Sequence, residues 1–263
     1  MSGRLRIASD AAANISGLVS TVAASLPISL VRSDQGDPDA VAIDGSAGWV
    51  RRALTALESG IRGVVVVSPV FEPDIAALDR RAQSDGIPVI LDFPWASNPA
   101  VAAARTSVAA IRDEVSFVDL VATVSGAEHF VPALNELRLL SFRLIGRSTG
   151  LHAIEENAGS LLVGARHAGS DAPVTFHVIH APAPEFAVRA RVVSIAGDVD
   201  VRIPDADTAR PALVTSTGGD GAALTPTRYE SSHRHSWRRL VELVSTRDTC
   251  DDIDEFTRAM TSA

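Results

Sequence analysis

The sequence predicts two consecutive units: a parallel α/β unit with helices on both faces of its sheet, then an α+β unit with an open antiparallel sheet. Three observations carry this. In the first hundred residues, short β-branched runs alternate with helical periods, as right-handed strand–helix–strand crossovers require. Residues 64–67 are four consecutive valines, apolar on both faces like a strand inside a parallel sheet. From Ser160 onward the hydrophobic period becomes two, punctuated at Gly169, Gly197 and a glycine cluster over 218–221.

The elements follow in order. Residues 5–8 form the first expected strand. Ile15, Leu18, Val19, Val22 and Leu26 recur at helical spacing, the apolar face of one helix that Pro27 ends. Residues 28–31 and 40–43 are the next strands, separated by a loop over 34–39 that contains Gly and Pro. Val50, Ala53, Leu54 and Leu57 mark a helix capped at Gly60. Pro73 opens another helix that runs to Gly86, and 88–93 is a further buried strand. Beyond Pro94, residues 99–111 and 133–145 are helical, with a strand over 117–124 between them. Six strands of a meander follow, over 161–165, 174–180, 186–195, 199–203, 213–217 and 222–229. Helices over 237–245 and 253–260 close the chain. The expected domains are 1–98 and 99–263.

Composition excludes several functions. The 263 residues carry 32 acidic and 24 basic side chains, a net charge of −8, and no Arg-rich stripe, so a nucleic acid is not an expected partner. Every basic residue is Arg. Without Lys there is no Schiff-base chemistry, no Walker-type phosphate loop and no lysine general acid. The single Cys250 rules out disulfides within the chain and Cys-based zinc sites. Asp248, Asp251 and Asp252 beside it should raise its thiol pKa and blunt its reactivity. Residues 11–31 are uncharged but too rich in Asn, Ser, Thr, Gly and Pro to span a bilayer, and Asp10 interrupts any secretory-signal pattern. A cytoplasmic location without a membrane partner is the expectation.

Three segments carry a family resemblance: Pro38-Asp39-Ala40-Val41-Ala42-Ile43, Ala53-Leu54-Thr55-Ala56-Leu57-Glu58-Ser59-Gly60, and Val64-Val65-Val66-Val67-Ser68-Pro69. They resemble the Gfo/Idh/MocA family (glucose–fructose oxidoreductase and inositol dehydrogenase), whose members read D-x-V-x-I, a helix ending A-L-x-A-G, and a strand ending E-K-P. Ile195-Ala196-Gly197-Asp198-Val199-Asp200-Val201 resembles the family's G-T-x-G-x-L-x-I hairpin. The resemblance implies a Rossmann-like first domain that binds NAD(P) on a Gly-rich turn. It also implies catalysis by the E-K-P lysine with a His and an Asp on a later helix.

This chain departs from that pattern in three places. Its turn, Ala8-Ser9-Asp10-Ala11-Ala12-Ala13-Asn14, has no Gly, and Asp10 puts a negative charge where a diphosphate would sit. Such repulsion costs about 1–4 kcal/mol at partly screened distances. Ser68 stands where the family has Lys, and Trp49 where it often has a His. Counting back from Gly146 puts Glu136 and Leu139 at the later helix's His and Asp positions, and Pro132 at the preceding Asp. The resemblance with these departures implies a degenerate turn at Ser9 and Asp10 and no nicotinamide cofactor.

Candidate sites follow from chemistry and position. Asp92, Trp95, Trp49 and Ser68 fall at the carboxyl ends of strands, where open α/β sheets bind ligands; they suit a sugar, or else core and loop packing. Glu136 with His129 suits an acid/base pair, or a surface ion pair. His177 and His180, three apart on a strand, face opposite sides and cannot share a metal. His233 and His235 with Arg234, Arg238 and Arg239 suit an anion site, or a helix start with Trp237 packed inward. No metal motif is present.

The expected function is therefore an oxidoreductase homologue without NAD(P) redox activity, a binding or partner subunit in sugar or polyol metabolism. The alternative is an active NAD(P)-dependent oxidoreductase, or a non-redox enzyme, acting on a sugar, cyclitol or sugar acid through Arg105, Glu136 and Asp92. A small-molecule sensor is a third reading. Val174, Phe176, Val178, Val188, Ala190 and Val192 are expected on the open sheet face, there to form a homodimer or heteromer interface.

Overall fold

The computed structural model describes residues 4–33, 37–182, 187–206, 208 and 210–261. The chain divides into two compact units, Met1–Ser97 with Ser232–Thr257, and Asn98–Ser231 with Arg258–Ala263. The first unit contains β1 (Leu5–Ser9), α1 (Ala11–Ser16), α2 (Val19–Ser25), β2 (Leu30–Arg32), β3 (Ala40–Asp44), α3 (Trp49–Glu58), β4 (Gly63–Val67), α4 (Ile75–Asp85) and β5 (Val89–Asp92). Its sheet is wholly parallel, in the order β2-β1-β3-β4-β5. All five residues of β4 are buried, as a strand with neighbours on both edges and cover on both faces must be. The chain leaves β1 toward one edge and returns at β3 toward the other, so the switch point lies between those two strands.

Two expectations are corrected here. The helix expected across 15–26 is two short helices, and Ile15, assigned to the apolar face, is 75% exposed. The break has a packing cause: a Cβ on Gly17 would stand 2.8 Å from Val67 Cγ2, so the turn of chain lies directly on β4. Leu18 follows in a left-handed conformation (φ 48°) and redirects the chain. The second correction concerns the domain division, expected to leave 99–263 as one piece. At Ser232 the chain returns to the first unit, where α7 (Ser232–Thr246) inserts Trp237, Leu240 and Val244 among Leu5, Ile7, Val65, Val67 and Ile90. Gly63 permits this approach, since a Cβ there would meet Leu240 Cδ1 at 2.7 Å. The loop expected over 34–39 lies partly outside the described residues, as does Phe186 of an expected strand.

The second unit contains α5 (Pro99–Ala109), β6 (Val115–Val124), α6 (Phe130–Ile145), β7 (Ser148–Asn157), β8 (Ser160–His167), β9 (Pro173–His180), β10 (Val188–Ser194), β11 (Gly197–Ile203), β12 (Leu213–Gly218) and β13 (Gly221–Leu224). The last helix, α8 (Asp252–Met260), starts in the first unit and ends in the second. The eight strands pair as β13-β12-β11-β10-β6-β9-β8-β7, antiparallel throughout except for the parallel β6–β9 pair. The sheet is therefore mixed rather than a simple meander, because β6 lies between two later strands. Strand β7 was not anticipated: it is mostly exposed and its register shifts twice, so it has no clean alternation to read.

The α5 and α6 helices pack on one face of this sheet. Val174, Phe176, Val178, Val188, Ala190 and Val192, expected on the open face, are all buried at 1% exposure or less on the helix-covered side. The opposite face carries Asp119, Arg189, Arg191, Asp198, Asp200 and Arg202, joined by the ion pairs Arg189–Asp200, Arg191–Asp198 and Arg202–Asp200 at 2.6, 3.0 and 2.8 Å. Period two separates the faces of a strand but does not say which of them the helices cover.

Two glycines separate backbone crowding from backbone conformation. At Gly45 a Cβ would stand 2.4 Å from Pro69 Cα, where the chain ends of β3 and β4 cross. At Gly86, which caps α4 with φ 65°, there is open space. Urea unfolding of Gly45→Ala is expected to show a loss of about 3 kcal/mol or more, from overpacking against rigid backbone. Gly86→Ala is expected to lose only about 1–2 kcal/mol, the left-handed penalty alone.

Candidate functional site

The carboxyl ends of the parallel strands are where such a sheet would hold a ligand. At the switch point Asp10 ends β1 and caps α1. Its Oδ1 accepts from Ala13 N at 2.7 Å, and its Oδ2 accepts from Asp44 N at 2.9 Å, at the end of β3. One carboxylate thus takes a first-turn donor of α1 and a donor at the end of β3. Asp44 adds a second carboxylate, whose Oδ2 accepts from Ser46 N at 3.1 Å. The nearby guanidinium of Arg52 donates to the carbonyls of Asp44, Ser46 and Ala47. Ser9 Oγ is buried without a hydrogen-bond partner among the described residues. Two carboxylates, Asp10 and Asp44, thus stand at this point with the Arg52 guanidinium beside them.

The same theme recurs along the edge. The Glu72 carboxylate accepts from Gly48 N and Val50 N, satisfying the first turn of α3. Asp92, at the end of β5, is fully buried; its Oδ2 lies 2.8 Å from His233 Nδ1, and its Oδ1 accepts from Ser236 Oγ at 2.8 Å. His233 is 1% exposed, so this is an interior dyad that fastens the start of α7 to β5. Ser232 Oγ reinforces it by donating to the Pro94 carbonyl at 2.5 Å. Each partner was singled out separately in the sequence, but 141 residues separate them and no local signal pairs them.

The four residues expected to converge on a substrate have different environments. Trp49 is fully buried and its indole N–H donates to the Val70 carbonyl at 2.7 Å. Trp95 is buried, and Asp92 is engaged as described. Ser68 is exposed, in a left-handed turn (φ 49°) held by its N–H donating to the Asp92 carbonyl at 2.8 Å. Of these four, Ser68 alone presents its side chain at the surface. Trp237 packs inward and Arg239 pairs with Asp252 at 2.8 Å, while Arg234 Nε donates to Ser25 Oγ at 3.3 Å and Arg238 is exposed.

In the second unit, His129 is exposed and its Nε2 lies 3.4 Å from Glu128 Oε1. Glu136 is buried seven residues along α6, about 10 Å in rise, so the two do not meet as an acid/base pair. Arg105 is exposed on α5. His177 sits mid-strand between Val121 and Leu162, and His180 is exposed at the strand end. Among the described residues no cluster of three or more His, Cys, Asp or Glu side chains is placed to hold a metal ion. Among them, too, no helix is long and apolar enough to cross a membrane.

No family model and no curated protein matches the sequence. Solved structures do match the fold. A variant of KijD10, a 3-ketoreductase from Actinomadura kijaniata, in complex with TDP-benzene and NADP, superposes with a TM-score of 0.71 at 11% identity, over 98% of this chain and 95% of that one. UDP-N-acetylglucosamine 3-dehydrogenase GnnA from Acidithiobacillus ferrooxidans gives a TM-score of 0.67 at 12% identity, over 93% and 83%. An oxidoreductase from Agrobacterium radiobacter in complex with NAD+, L-tartaric acid and magnesium gives 0.63 at 14%, over 98% and 87%. The chain has the fold of these dehydrogenases and ketoreductases: a Rossmann-like parallel sheet and a second, mostly antiparallel one.

Two outcomes are expected from this geometry. Asp92→Ala should lose about 3–5 kcal/mol in urea unfolding, because it strands a buried histidine. Ser236→Ala, which removes one charge-assisted hydrogen bond, should lose about 1.5–3 kcal/mol. Burial first, and then the Asp252 carboxylate, push the Cys250 thiol up to about 12 from an ordinary value of 9.0. Between those values the unfolded chain has lost the thiol proton while the folded chain keeps it, so stability is full below pH 9 and falls as pH rises toward 12. Replacing Cys250 with Ser should flatten that alkaline arm in melting curves.

Proposed function

We propose that this protein is a diverged Gfo/Idh/MocA-like homologue that uses the oxidoreductase fold without a nicotinamide cofactor, as a binding or partner subunit in sugar or polyol metabolism. The observation that carries this reading is the Asp10 carboxylate, which accepts from both Ala13 N and Asp44 N where the fold would otherwise present donors to a diphosphate. The absence of any lysine supports it, since no ammonium is available to orient a reacting hydroxyl at Ser68. The fold's presence in a ketoreductase and dehydrogenase of nucleotide-linked sugars supports the sugar connection. Ser68, exposed beside the edge, offers a hydroxyl, a chemistry suited to an uncharged polyol rather than an anion.

The test is a titration of the purified protein with NADH and with NADPH, followed by melting temperature. No shift is expected with either. A rise equivalent to about 2.7 kcal/mol at a hundredfold excess over the dissociation constant would instead show that the cofactor binds and overturn this reading.

A further inference from the structure

A small cavity in the second unit combines positive charge with an unanswered hydroxyl. On α6, Arg138 Nη2 donates to the carbonyls of Ala259 and Met260 at 3.0 and 2.8 Å, closing the end of α8. Among the described residues its Nε and Nη1 make no hydrogen bond, and no carboxylate pairs with it. Burial works against its charge, lowering its pKa from the ordinary value, yet a guanidinium stays protonated at any physiological pH. Arg138 lines the cavity with Phe142, Ser148, Leu151, Phe176 and Ala259. Ser148 is only 9% exposed, and its Oγ is buried with no hydrogen-bond partner among the described residues. A second guanidinium, Arg258, sits 5.1 Å from the centroid of the Phe142 ring.

The remaining wall is apolar: two phenylalanines, a leucine and an alanine. Room for the centre of a water-sized sphere amounts to about 10 Å³, enough for one atom-sized guest. Water would satisfy Ser148 but leave the guanidinium without a counter-charge. A guest that only accepts, carries one negative charge and is a single atom answers the charge and the hydroxyl together. We propose that this cavity, formed by α6, β7, β9 and the end of α8, is a binding site for a monatomic anion of the halide class.

The experiment compares melting temperatures of the full chain in sodium chloride and in sodium gluconate at constant ionic strength, gluconate being too large to enter. The wild type should rise saturably with chloride, by roughly 3 °C at tenfold excess over the dissociation constant. Ser148→Ala should lose most of that chloride-dependent rise. Crystals soaked in bromide should show an anomalous peak between Arg138 and Ser148. If the cavity holds only water, Ser148→Ala shifts the melting temperature by the same amount in both salts. That result, or wild-type melting that is the same in chloride and gluconate, or a cavity without bromide, would overturn the assignment.

Discussion

One carboxylate sets the character of the parallel-sheet unit. Asp10 bridges the first turn of α1 and the end of β3, the two strand ends between which a doubly wound sheet opens its ligand crevice. Backbone N–H groups at such a point are strong donors in a positive potential and need a negative partner. Here the partner is covalently part of the chain. Glu72 does the same for α3, and Asp92 ends β5 against His233 and Ser236. Side-chain carboxylates thus serve backbone or side-chain donors at three points along the carboxyl edge of the sheet.

That self-sufficiency is tied to the path of the chain. The α7 helix belongs to the core of the first unit, seated by Trp237 and Leu240 and admitted by the missing side chain at Gly63. The Asp92–His233 contact fixes where that helix begins. A buried polar pair contributes little net energy when complete, but losing one member is costly, so it selects one seating of α7 over others. In the second unit the apolar strand faces are consumed by α5 and α6, while the opposite face carries charges that neutralise one another in pairs.

Much of this was legible from residue order. Four valines in a row could only be a strand covered on both sides, and β4 is fully buried. Gly86 marked the end of α4, where a left-handed residue is needed. The absence of glycine and the presence of Asp10 in the first turn were visible too, although the second donor at Asp44 was not. The apolar spacing over 15–26 misled because nothing local says that Gly17 must lie on Val67. Strand β7 escaped because its bulges erase the alternation that would reveal it.

Local chemistry therefore determined the parallel α/β unit, a first turn with Asp10 and no glycine, and the lack of any lysine, because these depend on residue identity and short-range spacing. Tertiary structure decided which face of the large sheet is covered, which unit receives the returning helix, and that Asp92 answers to a histidine 141 residues away. Those are long-range packing choices: side-chain period is blind to which of two faces will find a neighbour, and a buried charge finds its partner only once the chain has folded.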